Sequence, residues 1–104
     1  MENFEQNPNE ENLFNRKDLV ILVFFSKCSA NSYLMKKPIL NIARENQNKI
    51  KLYITDIDRS ADLTTSFGIR EVPTILLFKN GWIVDRIDGA VGKKELSNKI
   101  NKFL

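Results

Sequence analysis

The longest unbroken apolar run in the chain is Leu19-Val-Ile-Leu-Val-Phe-Phe25. β-Branched and aromatic side chains without alternation predict a strand covered on both faces, at the centre of a sheet. The run is too short for a membrane helix, which needs about 20 apolar residues. Downstream, Met35, Ile39, Ile42 and Ala43 recur at spacings of three and four. That period predicts an amphipathic helix ending near Asn46, with Asn31 or Ser32 as its cap. Pro38 falls inside it, where a proline removes one backbone bond and bends the helix.

Residues 52–57 form a second apolar segment and predict a second strand. Asp58 or Ser60 then caps a short helix to Phe67, which Gly68 ends. Residues 74–79, with the continuous stretch Ile75-Leu-Leu-Phe78, predict a third strand. Asn80-Gly81 suits the positive backbone angles of a two-residue hairpin, and residues 82–87 return antiparallel. Trp82 directly after that turn is expected to pack against the sheet edge or the last helix. Gly89 and Gly92 mark a loop, and residues 93–103 close the chain as an amphipathic helix on Leu96, Ile100 and Phe103. Ahead of the first strand, Pro8 suits the first turn of a short helix capped by Asn7, with Leu13 and Phe14 as its buried residues. Residues 1–8 are expected to be loosely ordered. The order β-α-β-α-β-β-α predicts an α/β fold, one mixed central sheet with helices on both faces, in a single domain over residues 1–104.

Composition narrows the chemistry. The apolar share of 42% and the charged share of 28% fit a globular domain. There is no histidine, which excludes Ser/His/Asp and Cys/His catalysis and histidine-ligated metal. The lone cysteine, Cys28, has no intramolecular partner, the usual pattern of a reducing compartment. With no basic flank or apolar stretch at the start, no secretory leader is read, and a cytoplasmic location is expected. The net charge is +3, but residues 1–12 carry four acids and no base. The basic excess beyond them is spread without aromatic interleaving, so neither nucleic acid nor membrane is expected as a partner. Asp56 and Asp58 alternate with Ile57, too few oxygen ligands for a metal. No phosphate loop or paired-carboxylate site is present, and no cofactor is expected.

Phe67-Gly-Ile-Arg-Glu-Val-Pro-Thr-Ile-Leu-Leu-Phe-Lys-Asn-Gly81, followed by Asp88-Gly-Ala90, resembles the second half of a thioredoxin. Val20-Ile-Leu-Val-Phe-Phe25 and Pro38-Ile-Leu40 resemble that family's central strand and kinked active-site helix. The resemblance covers roughly residues 10–104 and implies a thioredoxin-like fold with a cis bond before Pro73. It also marks departures. Counted without gaps from Phe25 or from Pro38, Ala30-Asn-Ser-Tyr33 stands where the family has Cys-Gly-Pro-Cys. Ser29 stands in place of the preceding tryptophan. Phe24 replaces a buried aspartate, and Ile54 the lysine that pairs with it in many members. Phe24 and Ile54 are expected to form an apolar pair in that position, since a buried carboxylate is costly without a partner.

A two-residue gap would instead make Cys28 the family nucleophile, in Cys28-Ser-Ala-Asn31. Lys27 and the neighbouring helix start both favour a thiolate there. The alternative is an inert loop cysteine. A dithiol cycle needs a second sulfur, so dithiol-disulfide oxidoreductase activity is predicted absent.

Three functions are compatible with these residues. A non-catalytic interaction module would bind an extended peptide segment of a protein partner across Asn31, Ser32, Tyr33, Val72, Pro73, Gly89 and Ala90, because backbone pairing needs no thiol. Asp88, in place of an apolar residue, would select against acidic segments, unless the groove is vestigial. A monothiol oxidoreductase or redox sensor would use Cys28, which could also link two chains in a dimer. A structural subunit would present Trp82 or the basic face to a larger assembly.

Overall fold

The computed structural model describes Phe4–Glu5 and residues 17–104. Five strands form one sheet: β1 (Phe4–Glu5), β2 (Leu19–Phe25), β3 (Ile50–Asp56), β4 (Thr74–Lys79) and β5 (Trp82–Asp88), in the spatial order β1-β3-β2-β4-β5. The apolar run at 19–25 is the middle strand. It pairs parallel with β3 from Leu19–Ile50 to Phe25–Asp56, and antiparallel with β4 from Val20–Phe78 to Phe24–Thr74. Its side chains are buried in a core layer on each face of the sheet, the reason its sequence shows no alternation. β3 begins at Ile50, two residues before the predicted start, because Ile50 pairs with Leu19 and is buried. Phe4 and Glu5, in a segment expected to be loose, pair parallel with Leu52 and Tyr53 on the outer edge of β3. The predicted helix at Pro8, with Leu13 and Phe14, lies outside the described residues.

Alternation along the strands splits the core into two layers. On one face Leu19, Ile21, Val23, Leu52, Ile75 and Leu77 pack against α1 (Ala30–Glu45) and α3 (Lys93–Asn101), which contribute Met35, Ile39, Ile42, Leu96 and Ile100. On the other, Val20, Leu22, Phe24, Tyr53, Leu76 and Phe78 meet Leu63 of α2 (Ala61–Ser66), with Phe67 and Ile69 beyond it. Phe67 sits edge-on to Phe24 and Phe78, ring centroids 6.2 and 5.8 Å apart, within the range in which aromatic pairs attract. Phe24 and Ile54, expected as a pair, are separated by this layering. Phe24 belongs to the α2 side and Ile54 packs on the α1 side, because neighbouring register positions point to opposite faces.

The predicted turn residues perform as their chemistry demands. Asn80 and Gly81 adopt φ of 51° and 87°, the two positive angles of a tight hairpin. A register shift between Leu77 and Phe78 leaves Val84 unpaired in the β4–β5 ladder, as in a β-bulge. Trp82 does not pack against the sheet edge or α3: it is 74% exposed. Its partner in the ladder is Lys79, the last pair before the open turn.

Candidate functional site

Phe24, Thr74 and Asp88 lie side by side across β2, β4 and β5. The segments attached there, residues 26–29, 71–73 and 89–90, therefore gather at one end of the sheet, together with the start of α1. The short turn leading into α1 is built by serines. The Ser26 amide donates to Ser32 Oγ at 3.3 Å, and the Cys28 amide to Ser26 Oγ at 3.2 Å. The Ser32 amide donates to Ser29 Oγ at 3.1 Å. Ser29 has extended backbone angles and is the N-cap of α1, so the helix starts at Ala30 and not after Asn31 or Ser32. The correction has a physical basis: Ser32 is turned inward and buried, already holding the Ser26 amide, whereas Ser29 Oγ is placed to accept an orphan amide of the first turn. Ser60 likewise occupies the N-cap position of α2, yet its hydroxyl pairs with buried Thr55 Oγ1 and caps nothing.

Of the four residues expected at the position of the family's cysteine motif, Ala30, Asn31 and Tyr33 are exposed, and Ser32 is buried. Cys28 is exposed, in the turn ahead of Ser29. It is the only cysteine in the sequence, so no Cys-x-x-Cys pair can form within these 104 residues.

Opposite them stands the segment 71–73. The Val72–Pro73 bond is cis, and the Gly89 amide donates to the Pro73 carbonyl at 2.8 Å. Thr74 Oγ1 donates to the Glu71 carbonyl at 2.7 Å and reaches Asp88 Oδ1 at 3.3 Å. Gly89 has φ of +85°, a backbone angle that favours glycine. Val72 is half-buried, and among the described residues its backbone N–H and C=O make no hydrogen bond.

Arg86 went unnoticed in the sequence. Its Nε donates to Asp88 Oδ1 at 2.9 Å, Nη1 to the Phe67 carbonyl at 2.8 Å and Nη2 to the Gly68 carbonyl at 2.9 Å. One planar fork thus ties β5 to the end of α2. The signal was available, since residues two apart on a strand share a face. Asp88, expected to face the partner segment, is ion-paired with Arg86 through Oδ1 while its side chain stays 46% exposed. Among the described residues no group of three or more acidic or cysteine side chains could hold a metal ion, and no helix is long and apolar enough to cross a membrane.

The chain is similar to known proteins in sequence and fold. The thioredoxin family model matches residues 2–102. The chain is 31% identical over 94 residues to a thioredoxin of Griffithsia pacifica, covering 90% of this chain and 86% of that protein. It is 34% identical over 88 residues to that of Porphyra purpurea, covering 84% and 82%. A 71-residue stretch is 44% identical to an M-type chloroplastic thioredoxin of Pisum sativum; it takes in 67% of this chain and 41% of that relative's length. Among solved structures, a thioredoxin of Nicotiana alata superposes with a TM-score of 0.82 at 26% identity, covering 90% and 80% of the two chains. A thioredoxin of Malassezia sympodialis superposes at 0.85 over 96% and 90% with 20% identity, a likeness of fold. With strand order, family match and relatives in agreement, the chain belongs to the thioredoxin family.

Proposed function

We propose that this thioredoxin-family protein is a non-catalytic interaction module that receives an extended segment of a partner protein along Val72, Pro73, Gly89 and Ala90, facing Asn31, Ser32 and Tyr33. The observation that carries the reading is that, among the described residues, the backbone N–H and C=O of Val72 make no hydrogen bond. A half-buried peptide group without a partner is a hydrogen-bond vacancy that a passing strand fills, and such pairing supplies affinity without any thiol. The single cysteine argues in the same direction, because release of a mixed disulfide in a dithiol cycle needs a second sulfur. On this reading Ala30-Asn-Ser-Tyr33 is a degenerate form of the family's Cys-Gly-Pro-Cys, in a single cytoplasmic domain with no cofactor.

A second reading is favoured by one observation: Cys28 is exposed just ahead of the cap of α1. A thiol so placed can form mixed disulfides, be capped by glutathione, or join two chains. Insulin-disulfide turnover with a dithiol reductant separates the two. The interaction module leaves both the native protein and Cys28→Ser at the reductant background. Turnover by the native protein that is lost in Cys28→Ser establishes the monothiol enzyme instead. The groove is tested with peptides selected from a displayed random library against the native protein. Ala90→Arg, an exposed change, is expected to weaken their binding at least tenfold; undiminished binding would place the contact elsewhere.

A further inference from the structure

Beside the start of α1, but on the face opposite Phe24, the structure holds a pocket of about 310 Å³. Its apolar walls are Val23 and Phe25 of β2, Ile54 of β3 and Ile39 of α1. An apolar cavity of about 150 Å³ is enough to admit benzene, so this one has room for a body of about two fused rings. Its charged lining is of one sign. Lys27 and Lys36 contribute to it, no carboxylate does, and neither lysine has an ion-pair partner among the described residues. The first turn of α1 contains no acidic residue either, so the positive end of the helix dipole is not offset there. Ser26, Ser32 and Tyr33 add hydroxyls at the same pocket, and Tyr33 is 62% exposed. Few polar groups converging on an otherwise apolar pocket is the usual composition of a small-molecule site.

We propose that this pocket binds a small amphipathic anion, an aryl carboxylate of about two-ring size, with its rings against Val23, Phe25, Ile39 and Ile54 and its carboxylate toward Lys27 and Lys36. The inference shares Ser32 and Tyr33 with the peptide reading but does not rest on it, since the anion is held by Lys27, Lys36 and the apolar walls and not by Val72, Pro73 or Gly89. The charge pattern makes it selective. A neutral ligand of the same shape gains the apolar contact but not the paired ammonium groups, and a cationic one is repelled.

The test is titration of the native protein with 2-naphthoate, followed by amide chemical shifts. Saturable shifts centred on Ser26, Lys27, Tyr33, Lys36 and Ile54 are expected. The double variant Lys27→Gln with Lys36→Gln weakens binding by about fivefold, as expected for two solvent-exposed charge contacts. The double variant Lys49→Gln with Lys79→Gln, with the same charge change at the other end of the sheet, leaves it within about twofold, since charges that far off are screened. 2-Naphthamide binds more weakly than the acid and is indifferent to the Lys27/Lys36 change. Ile54→Phe, which fills the pocket, abolishes the shifts; if that variant does not fold, the lysine variants decide. Absence of saturable shifts, equal binding of acid and amide, or equal loss in both double variants would overturn the proposal.

Discussion

At the scale of single residues, Arg86 shows how one side chain can hold a site it does not enter. It donates to two backbone carbonyls and to Asp88, and so links β5, the end of α2 and, through Thr74 Oγ1, the carbonyl of Glu71. Side-chain exposures of 35% for Arg86 and 46% for Asp88 make the ion pair itself a minor contributor. The bonds to Phe67 and Gly68 matter more, because a charged donor satisfies carbonyls that the end of the helix leaves without amides. Lysine keeps the charge but lacks the planar fork. Arg86→Lys is therefore expected to lower stability by about 1 kcal/mol, read as a lower urea midpoint with an unchanged slope. A midpoint equal to that of the native protein would show that the fork is dispensable.

At the scale of elements, α1 depends on its first turn. It is the 16-residue helix that covers one face of the sheet and carries Ala30, Asn31, Ser32 and Tyr33 at its start. Its cap is Ser29 alone, and Pro38 already interrupts its interior hydrogen bonding. Ser29→Ala is expected to lower stability by about 1 kcal/mol. Ser29→Asp restores the cap and adds a favourable charge at the helix start, recovering that loss. Urea unfolding of the three proteins checks both. Equal midpoints for Ser29→Ala and the native protein would mean that the serine turn around Ser26 and Ser32 suffices. Ser32 is a less clean position for such a test, because its hydroxyl also holds the Ser26 amide in the same turn.

At the scale of the whole molecule, stability rests on the two-layer core divided by β2. Phe24 is fully buried and is bridged by Phe67 toward Phe78. Truncating it removes both transfer energy and packing, so Phe24→Ala should cost about 3–5 kcal/mol. Small domains hold about 5–15 kcal/mol in total, so the variant is expected to be marginal, with a clearly lowered melting temperature by circular dichroism. A change below about 1 kcal/mol would mean that the cluster collapses readily into the space. Trp82 lies outside this core at the tip of the β4–β5 hairpin, so its fluorescence reports on the turn and is a poor gauge of core packing.

Much of this protein was legible along the chain, for physical reasons that act locally. Seven β-branched, aliphatic and aromatic residues in a row at 19–25 suit a strand covered on both faces. Asn80-Gly81 demands a hairpin, and the spacing of Met35, Ile39 and Ile42 demands a helix with one buried face. The candidate site was legible as far as residue types go: one cysteine, no histidine, and the Val72-Pro73-Thr74 segment. What remained hidden depended on which face or which partner each side chain meets. Phe24 and Ile54 were expected together and lie in different layers, because strand register decides facing. Ser29 displaced Asn31 and Ser32 as the helix cap once Ser32 was drawn inward. Arg86 met carbonyls 19 and 18 residues away, and the pocket joined side chains of β2, α1 and β3. Local sequence therefore determined the elements and their order, through backbone propensity and hydrophobic period. Only the tertiary structure decided the neighbours, because contacts between distant segments exist only once the layers have packed.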